Sequence, residues 1–518
     1  MSEMIASLLS GLLAALAFPF RAGDFSSSLW PLAWFALIPT YLSSVRSVKK
    51  GKVLFWHGIA TGFPLYGLSL YWIFIAMKVH GNVSTSATLF SLFILVTILS
   101  LYLGLAFSLA RWLCRHGLPF SVSFIVMWLL QDWARNFFPF GGFSWSSLAY
   151  SQTEALPFLQ VVDVTGPYGI TFLILIGNVF LGKIILYLKK ERSLRKHLLL
   201  LVIITVGGSS LYGLWREHHL GKTWNNQTEK NLILIQGNVP QEEKWLTTEI
   251  EEIVFDHVGL TKEAEGKYPA DLILWPEASY PAVIPPGFGQ IKVIDQFKSP
   301  LLMGAVTYQG GIPEEWPPTE KDNFRLHNSA LLIEPGGFLR GEYHKNHLVP
   351  VGEYVPMKKA LFFLSKIVPG YADFSSGGSF HLLETSGMKM GVTICYEDLF
   401  PEISRRFVQG GADLLINLTN DAWYERSSAI DQHVLFSRFR AMENRRYLAR
   451  ATNTGVTVVF DPIGREIARA PLFQSAILPS KIRLGGPVTF YTRLGDVFMI
   501  GCLVLLLGLH LRTRFKRN

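Results

Sequence analysis

The feature that most limits how this chain can fold is the uneven placement of its apolar residues. Stretches near 4–20, 27–45, 53–77, 86–110, 120–138, 168–188 and 197–215 are each apolar and about as long as a hydrocarbon core demands, and an eighth lies near 494–511. Residues 216–490 read instead as a polar, soluble-type segment. With 49% hydrophobic and only 17% charged residues, the 518-residue chain is too apolar for an ordinary soluble protein. The first stretch lacks a basic leading region and is followed at once by others, so it is expected to be retained, not cleaved as a signal peptide. The expected organisation is a seven-span transmembrane domain over 1–216, an extracytoplasmic domain over 225–485, and an eighth helix with a basic tail over 490–518.

Orientation follows from lysine and arginine. The loop 45–52 carries Arg46, Lys49, Lys50 and Lys52, Arg111 and Arg115 flank a later turn, and 189–196 holds Lys189, Lys190, Arg192, Arg195 and Lys196. The tail adds Arg512, Arg514, Lys516 and Arg517, whereas the alternate loops hold only Arg21 and Lys78, and 139–167 holds no basic residue. The alternation puts the basic loops and both termini in the cytoplasm and the polar domain on the far side of the membrane. The net charge of +9 is therefore a topology signal. Its spread over membrane flanks gives no patch for nucleic acid.

From about 230 the pattern becomes short β-branched runs separated by helical spacing. Strands are expected at 231–236, 271–275, 301–308, 329–333, 389–395, 413–418 and 455–460, with helices over 246–265, 399–409 and 429–449. Alternating strands and helices indicate a layered α/β domain with its sheets covered by helices.

Three polar residues stand at the ends of these strands. Glu277 closes Leu274-Trp-Pro-Glu277, Lys345 lies in Tyr343-His-Lys-Asn-His347, and Cys395 ends Lys389 to Cys395. Cys395 is the one thiol between 216 and 490, because Cys114 and Cys502 belong to apolar segments. Together the three have a coherent chemistry. A carboxylate accepts the thiol proton as general base, and an ammonium stabilises first the thiolate and then a tetrahedral oxyanion. A helix starting near Asp398 would add positive potential at the sulfur, while Glu397 would oppose thiolate formation unless Lys345 compensates. Singly, each residue has a plainer reading: a core cysteine, a solvated lysine, a turn carboxylate. His344 and His347 leave a Cys–His pairing open. No His/Cys group has zinc-ligand spacing, and no Gly-rich phosphate loop of the usual form is present, so neither metal nor cofactor is expected.

Taken together, Trp275-Pro-Glu277, His344-Lys345 and Ile394-Cys395-Tyr-Glu397 resemble the signature positions of the nitrilase superfamily, in order. Asn417-Leu-Thr-Asn-Asp-Ala-Trp423 resembles a further segment of it. The full chain, with seven spans before the domain and one after, resembles its membrane-embedded branch, the apolipoprotein N-acyltransferases. That match rests also on Tyr150-Ser-Gln152, on Ile235-Gln-Gly-Asn-Val-Pro-Gln241 with Trp245, and on Leu348-Val-Pro-Val-Gly-Glu-Tyr354. Val351 departs from it, standing where an aromatic is expected.

The resemblance implies a polytopic α-helical membrane domain of eight spans joined to an α/β nitrilase-like αββα sandwich. It implies Glu277 as base, Lys345 as oxyanion and charge stabiliser, Cys395 as nucleophile, Glu353 and Glu397 as supporting carboxylates, and Trp245 and Tyr396 around the pocket. It implies two-step acyl transfer in a bacterial inner membrane, with the catalytic domain on the periplasmic side. A phospholipid would acylate Cys395, and the α-amine of a diacylated apolipoprotein would take the chain from the thioester. The rival readings are a membrane-tethered amidase using water as acceptor and a non-enzymatic transporter. Eight spans exceed what a tether needs, and Asp132 with Arg135 is thin support for a transport path. The apolar run 359–370, with Phe362 and Phe363, is expected to dip into the bilayer interface as a lid.

Overall fold

The computed structural model describes residues 2–48, 53–190, 200–224, 227–244, 248–311, 324–357 and 373–515. Helices Ser2–Leu16, Val53–Ser69, Thr85–Arg115, Phe120–Ala134 and Pro167–Leu188 pack together in the first part of the chain. Where Val53–Ser69 crosses Thr85–Arg115 the backbones touch: a Cβ at Gly58 would lie 2.4 Å from the Leu103 carbonyl oxygen. Small residues allow such close crossings between apolar helices. On the outer side of Thr85–Arg115, Leu89, Phe90, Phe93, Leu105 and Leu109 are exposed, an apolar face suited to lipid.

Among the described residues, two helices are long and apolar enough to cross a membrane, Thr85–Arg115 and Pro167–Leu188. Val53–Ser69 and Trp72–His80 pass that test only as a pair, bent by 51°. Two other expected spans are shorter helices here, Ser2–Leu16 and Phe120–Ala134, and the C-terminal one is the helix Val497–Phe515. The stretch expected at 27–45 is two pieces, Ala33–Ala36 and Ile38–Ser47. The break has a physical cause, because the Leu37 amide leaves the helical pattern to donate to Asn178 Oδ1 at 2.8 Å. The stretch expected at 197–215 runs on as helix over 200–224 with a wider turn at Ile203–Gly207. A small hairpin, β1 Phe20–Ala22 with β2 Phe25–Ser27, reaches from the first helix toward the second half of the chain.

That half holds two sheets. In the first, β15 (Ala476–Arg483), β3 (Glu229–Gln236), β4 (Leu272–Leu274), β6 (Leu301–Gln309), β7 (Arg325–Glu334) and β8 (Phe338–His344) lie in that order, with β5 (Tyr280–Ile284) beside β6. In the second the order is β14 (Glu466–Arg469), β13 (Val458–Phe460), β12 (Tyr447–Thr452), β11 (Leu414–Thr419), β10 (Met388–Ile394), β9 (Leu383–Thr385). The central strands β3, β4, β6 and β10, β11, β12 are parallel. The two-residue period of a strand explains the layering. Leu232 and Leu234 of β3 join the core shared with Leu414 and Ile416 of β11, whereas Ile233 and Ile235 face Val254 and Val258 of helix Ile250–Lys267. Helices Pro401–Gln409 and Ser428–Asn444 cover the second sheet. The order of layers is helix, sheet, sheet, helix.

Two expectations are corrected here. The helix expected to reach 449 ends at Asn444, because Arg445 turns into the left-handed region (φ 51°) and its neighbours then extend as β12. The helix expected near Asp398 begins at Pro401, preceded by the tighter turn Cys395–Leu399.

The two halves are joined by buried polar contacts. Arg21 donates to both carboxylate oxygens of Asp431 at 2.6 and 2.8 Å, and Trp145 Nε1 donates to Gln432 Oε1 at 2.7 Å. The Arg440 guanidinium donates to the Tyr150 hydroxyl at 2.9 Å. Asp132 and Arg135 do pair, at 2.7 Å, and Arg135 also donates to the Trp145 carbonyl at 2.9 Å. That pair therefore fixes the docking loop, residues 139–167, whose Trp145 contacts the second half.

Candidate active site

Lys345 and Cys395 follow directly on β8 and β10, and Glu277 lies in the turn three residues past the end of β4. Pro276 stops ladder pairing after β4, and Ala278 turns the chain through the left-handed region (φ 46°). The turn lies flat on β6 because residue 304 is glycine. A Cβ there would sit 2.5 Å from Glu277 Cα, the Ala278 nitrogen and the Pro276 oxygen.

The three side chains are brought together and closed off from water; Glu277 is 8%, Lys345 1% and Cys395 8% exposed. Lys345 Nζ lies 2.9 Å from Glu353 Oε1 and 3.8 Å from Glu277 Oε1. Burial works against the ammonium, but Glu353 and Glu277 outweigh it and hold Lys345 above the usual lysine range. Burial pushes the Cys395 thiol well up, Glu277 adds to the push, and Lys345 pulls the other way. Burial and Glu277 together thus favour the protonated thiol over the thiolate.

Cys395 itself sits at φ 50°, a strained backbone for a residue with a Cβ. Two devices hold it there. Asn417 Nδ2 donates to the Cys395 carbonyl at 3.3 Å, and Arg450 fixes Asn417 Oδ1 at 2.6 Å while pairing with Asp398 at 2.9 Å and Asp421 at 3.1 Å. Buried His433 lies between the same two aspartates. The second device is Glu397. Its Oε2 accepts from the Ile394 amide at 2.8 Å, and its Oε1 accepts from the Tyr343 hydroxyl and the Asn346 and His347 amides at 2.9, 2.7 and 3.1 Å. Glu397 thus staples the Cys395 turn to the Lys345 turn. Burial pushes its carboxyl up to about 7 despite the donors around it.

Tyr396 is buried beside Cys395, and its hydroxyl donates to the Gly142 carbonyl in the loop 139–167 at 3.1 Å. Neither histidine bonds the thiol. His344 Nδ1 meets Ser329 Oγ at 2.8 Å, and His347 stacks on Phe400 with burial pulling its imidazole down to about 4. Val351 takes the left-handed conformation (φ 66°) within the Glu353 turn. Trp245 and the 359–370 segment lie outside the described residues.

Two site residues escaped the sequence reading. Asn328 Nδ2 donates to Glu277 Oε1 at 2.7 Å and to Glu353 Oε1 at 3.0 Å. It lies among Arg325, His327 and Ser329 on β7, so its sequence context did not set it apart. Lys244, whose Nζ donates to the Glu277 carbonyl at 2.8 Å, gave no local signal.

A helix–sheet–sheet–helix domain that gathers a buried Glu, Lys and Cys at its strand ends is nitrilase-like. Residues 234–486 match the carbon-nitrogen hydrolase family, and residues 10–180 match the apolipoprotein N-acyltransferase N-terminal domain. The chain is 38% identical over 510 residues to the apolipoprotein N-acyltransferase of Geobacter metallireducens, covering 96% of this chain and 93% of that protein. It is 31% identical over 530 residues to the one of Methylococcus capsulatus, covering 100% and 97%. Among solved structures it is similar to Saccharomyces cerevisiae Nit3, of the nitrilase superfamily, with TM-score 0.36 and 19% identity, covering 50% of this chain and 90% of that one. The chain belongs to the apolipoprotein N-acyltransferase family.

Proposed function

We propose that this protein transfers an acyl chain from a membrane phospholipid, through a thioester on Cys395, to the α-amine of the diacylglyceryl-cysteine that begins an apolipoprotein. The observation that carries the reading is the strained, water-excluded Cys395 set beside Glu277 and Lys345 in a domain docked on an apolar helical half. A soluble acyl donor has no need of that half; a lipid donor and a lipid-anchored acceptor do.

In the first step Glu277 takes the Cys395 proton while the sulfur attacks the ester carbonyl. Lys345 faces the oxyanion that forms, and water is excluded, so the charge interaction is strong. Collapse breaks the C–O bond, and Glu277 returns the proton to the departing lysophospholipid. In the second step the free amine attacks the thioester, Glu277 accepts its proton, and the C–S bond breaks to restore the thiol and leave an amide. Glu353 holds Lys345, and Glu397 and Tyr396 hold the nucleophile turn. Trp245 is assigned to the pocket and its access on the resemblance, and the 359–370 segment to substrate access on its apolar composition.

The topology proposed with this function is seven spans over 1–216, the catalytic domain over 225–485 on the periplasmic side of a bacterial inner membrane, and an eighth span with a basic tail over 490–518. Both termini then lie in the cytoplasm. The bare docking loop 139–167 and the basic turns support this assignment.

The test is stoichiometric. Purified protein with phospholipid and no acceptor is expected to release one lysophospholipid per chain and stop. Adding a diacylglyceryl-cysteine peptide restarts it with N-acylation. Continuous release without acceptor marks hydrolysis and sinks the transferase reading.

A further inference from the structure

Lys244 is a second buried cation at the site, only 2% exposed. The turn that carries it leaves β3 and is pinned from several sides. The Asn238 and Val239 amides donate to Asn453 O and Oδ1, both at 2.9 Å, and Asn453 Nδ2 donates back to the Val239 carbonyl at 2.7 Å. Asn420 Nδ2 donates to Gln241 Oε1 at 2.7 Å. On the outer side, Glu242 Oε1 lies 3.4 Å from Nδ1 of His80 in the helical half. With its backbone held this way, Lys244 has one direction to go, inward, where Nζ meets the Glu277 carbonyl at 2.8 Å.

Burying an ammonium without a bonded carboxylate is costly. Among the described residues, no carboxylate lies within ion-pair distance of Lys244 Nζ. The charges that act on it are Glu277 and Cys395, which favour the ammonium, while burial pulls it down to about 8. His257 on helix Ile250–Lys267 is held neutral beside it, with burial pulling it down to about 4. Across the site, Glu277 and Glu353 share Lys345, two carboxylates on one ammonium. Lys244 brings that group to neutrality.

Resting on the acyl-transfer reading above, we infer that Lys244 is a positioning residue for the Glu277 base. It holds the Pro276–Ala278 turn by the Glu277 carbonyl, and it sets a second ammonium beside Glu277 while Glu353 occupies Lys345. Removing that ammonium is expected to move the acid limb of the acylation profile up.

The experiment uses the full chain in detergent with Cys114 and Cys502 replaced by Ser. Single-turnover acylation of Cys395 by a phospholipid with a fluorescent acyl chain is followed from pH 5.5 to 9. Lys244→Met and Lys244→Gln are expected to slow acylation about tenfold at pH 7 and to raise the acid limb by about one unit. Lys244→Arg recovers most of the rate. Lys244→Gln keeps a donor for the Glu277 carbonyl, so it separates the charge from the hydrogen bond and stands in where the Met variant fails to fold. Variants that match the parent within twofold, or that slow equally at every pH, overturn the inference. If the parent itself takes no label, the acyl-transfer reading is what has failed. Iodoacetamide alkylation of Cys395 against pH then still tests Lys244, with the same upward shift expected and an unshifted profile contradicting it.

Discussion

Lys345 Nζ makes its short ion pair with Glu353 Oε1, at 2.9 Å, and stands 3.8 Å from Glu277 Oε1. The lysine is therefore anchored by one carboxylate and faces the other. Asn328, bonded to both carboxylates, keeps their separation fixed.

Glu353→Gln removes the charge that anchors Lys345 but keeps the shape. Hydrogen bonds to charged groups contribute about 1.5–3 kcal/mol, so acylation of Cys395 should slow by about 10- to 100-fold. Stopped-flow acylation measures this directly, and a rate within twofold of the parent contradicts the anchoring role.

Asn328→Asp places a third carboxylate against Glu277 and Glu353. Like charges at that distance make one of them hold its proton. The expected result is a lower acylation rate at neutral pH than Asn328→Ala shows, with the acid limb raised. Equal profiles for the two variants contradict the bridging geometry.

Gly304→Ala drives a methyl group into the backbone of the Glu277 turn. Overpacking of this kind costs about 1–3 kcal/mol, and it displaces the base as well. Both the melting temperature in detergent and the acylation rate should fall. A variant as stable and active as the parent shows that the turn has room to yield.

Glu397 carries a pH signature. Its carboxyl is pushed up to about 7 in the folded protein, from an unfolded value near 4.5. The folded state therefore binds the proton more tightly than the unfolded chain. The associated stability is fully present below about 4.5 and is lost as pH rises through about 7. The melting temperature of the parent minus that of Glu397→Gln should decline over this window. A flat difference contradicts the raised carboxyl.

Part of the site was legible because Glu277 and Cys395 each close an apolar run, whereas Lys345 follows the mostly polar strand β8 and was marked by the resemblance of His344-Lys345. What could not be read was three-dimensional sharing. Lys244, in the turn after β3, and Asn328, on β7, bond Glu277, and nothing in their own neighbourhoods announces the partner. The helix over 429–449 was read too long because Arg445 and Arg446 look like a basic helix end. Both are buried instead, and Arg445 donates to Asp163 at 3.0 Å and to the Gln160 carbonyl at 2.9 Å, across the junction between halves. The short strands β5, β9 and β14 lie beside or at the edge of their sheets and lack the apolar runs that marked the centre. The stretch at 27–45 was misread for a related reason, since hydropathy does not reveal that Asn178 takes the Leu37 amide out of the helix.

The central claim is that Cys395 carries the acyl chain. Incubation of the protein with phospholipid bearing a labelled acyl chain, followed by denaturation and peptide mapping, measures it directly. The account predicts a label on the Cys395 peptide that neutral hydroxylamine releases and that Cys395→Ser abolishes. A parent protein that takes no label, or a label that survives Cys395→Ser unchanged, contradicts it.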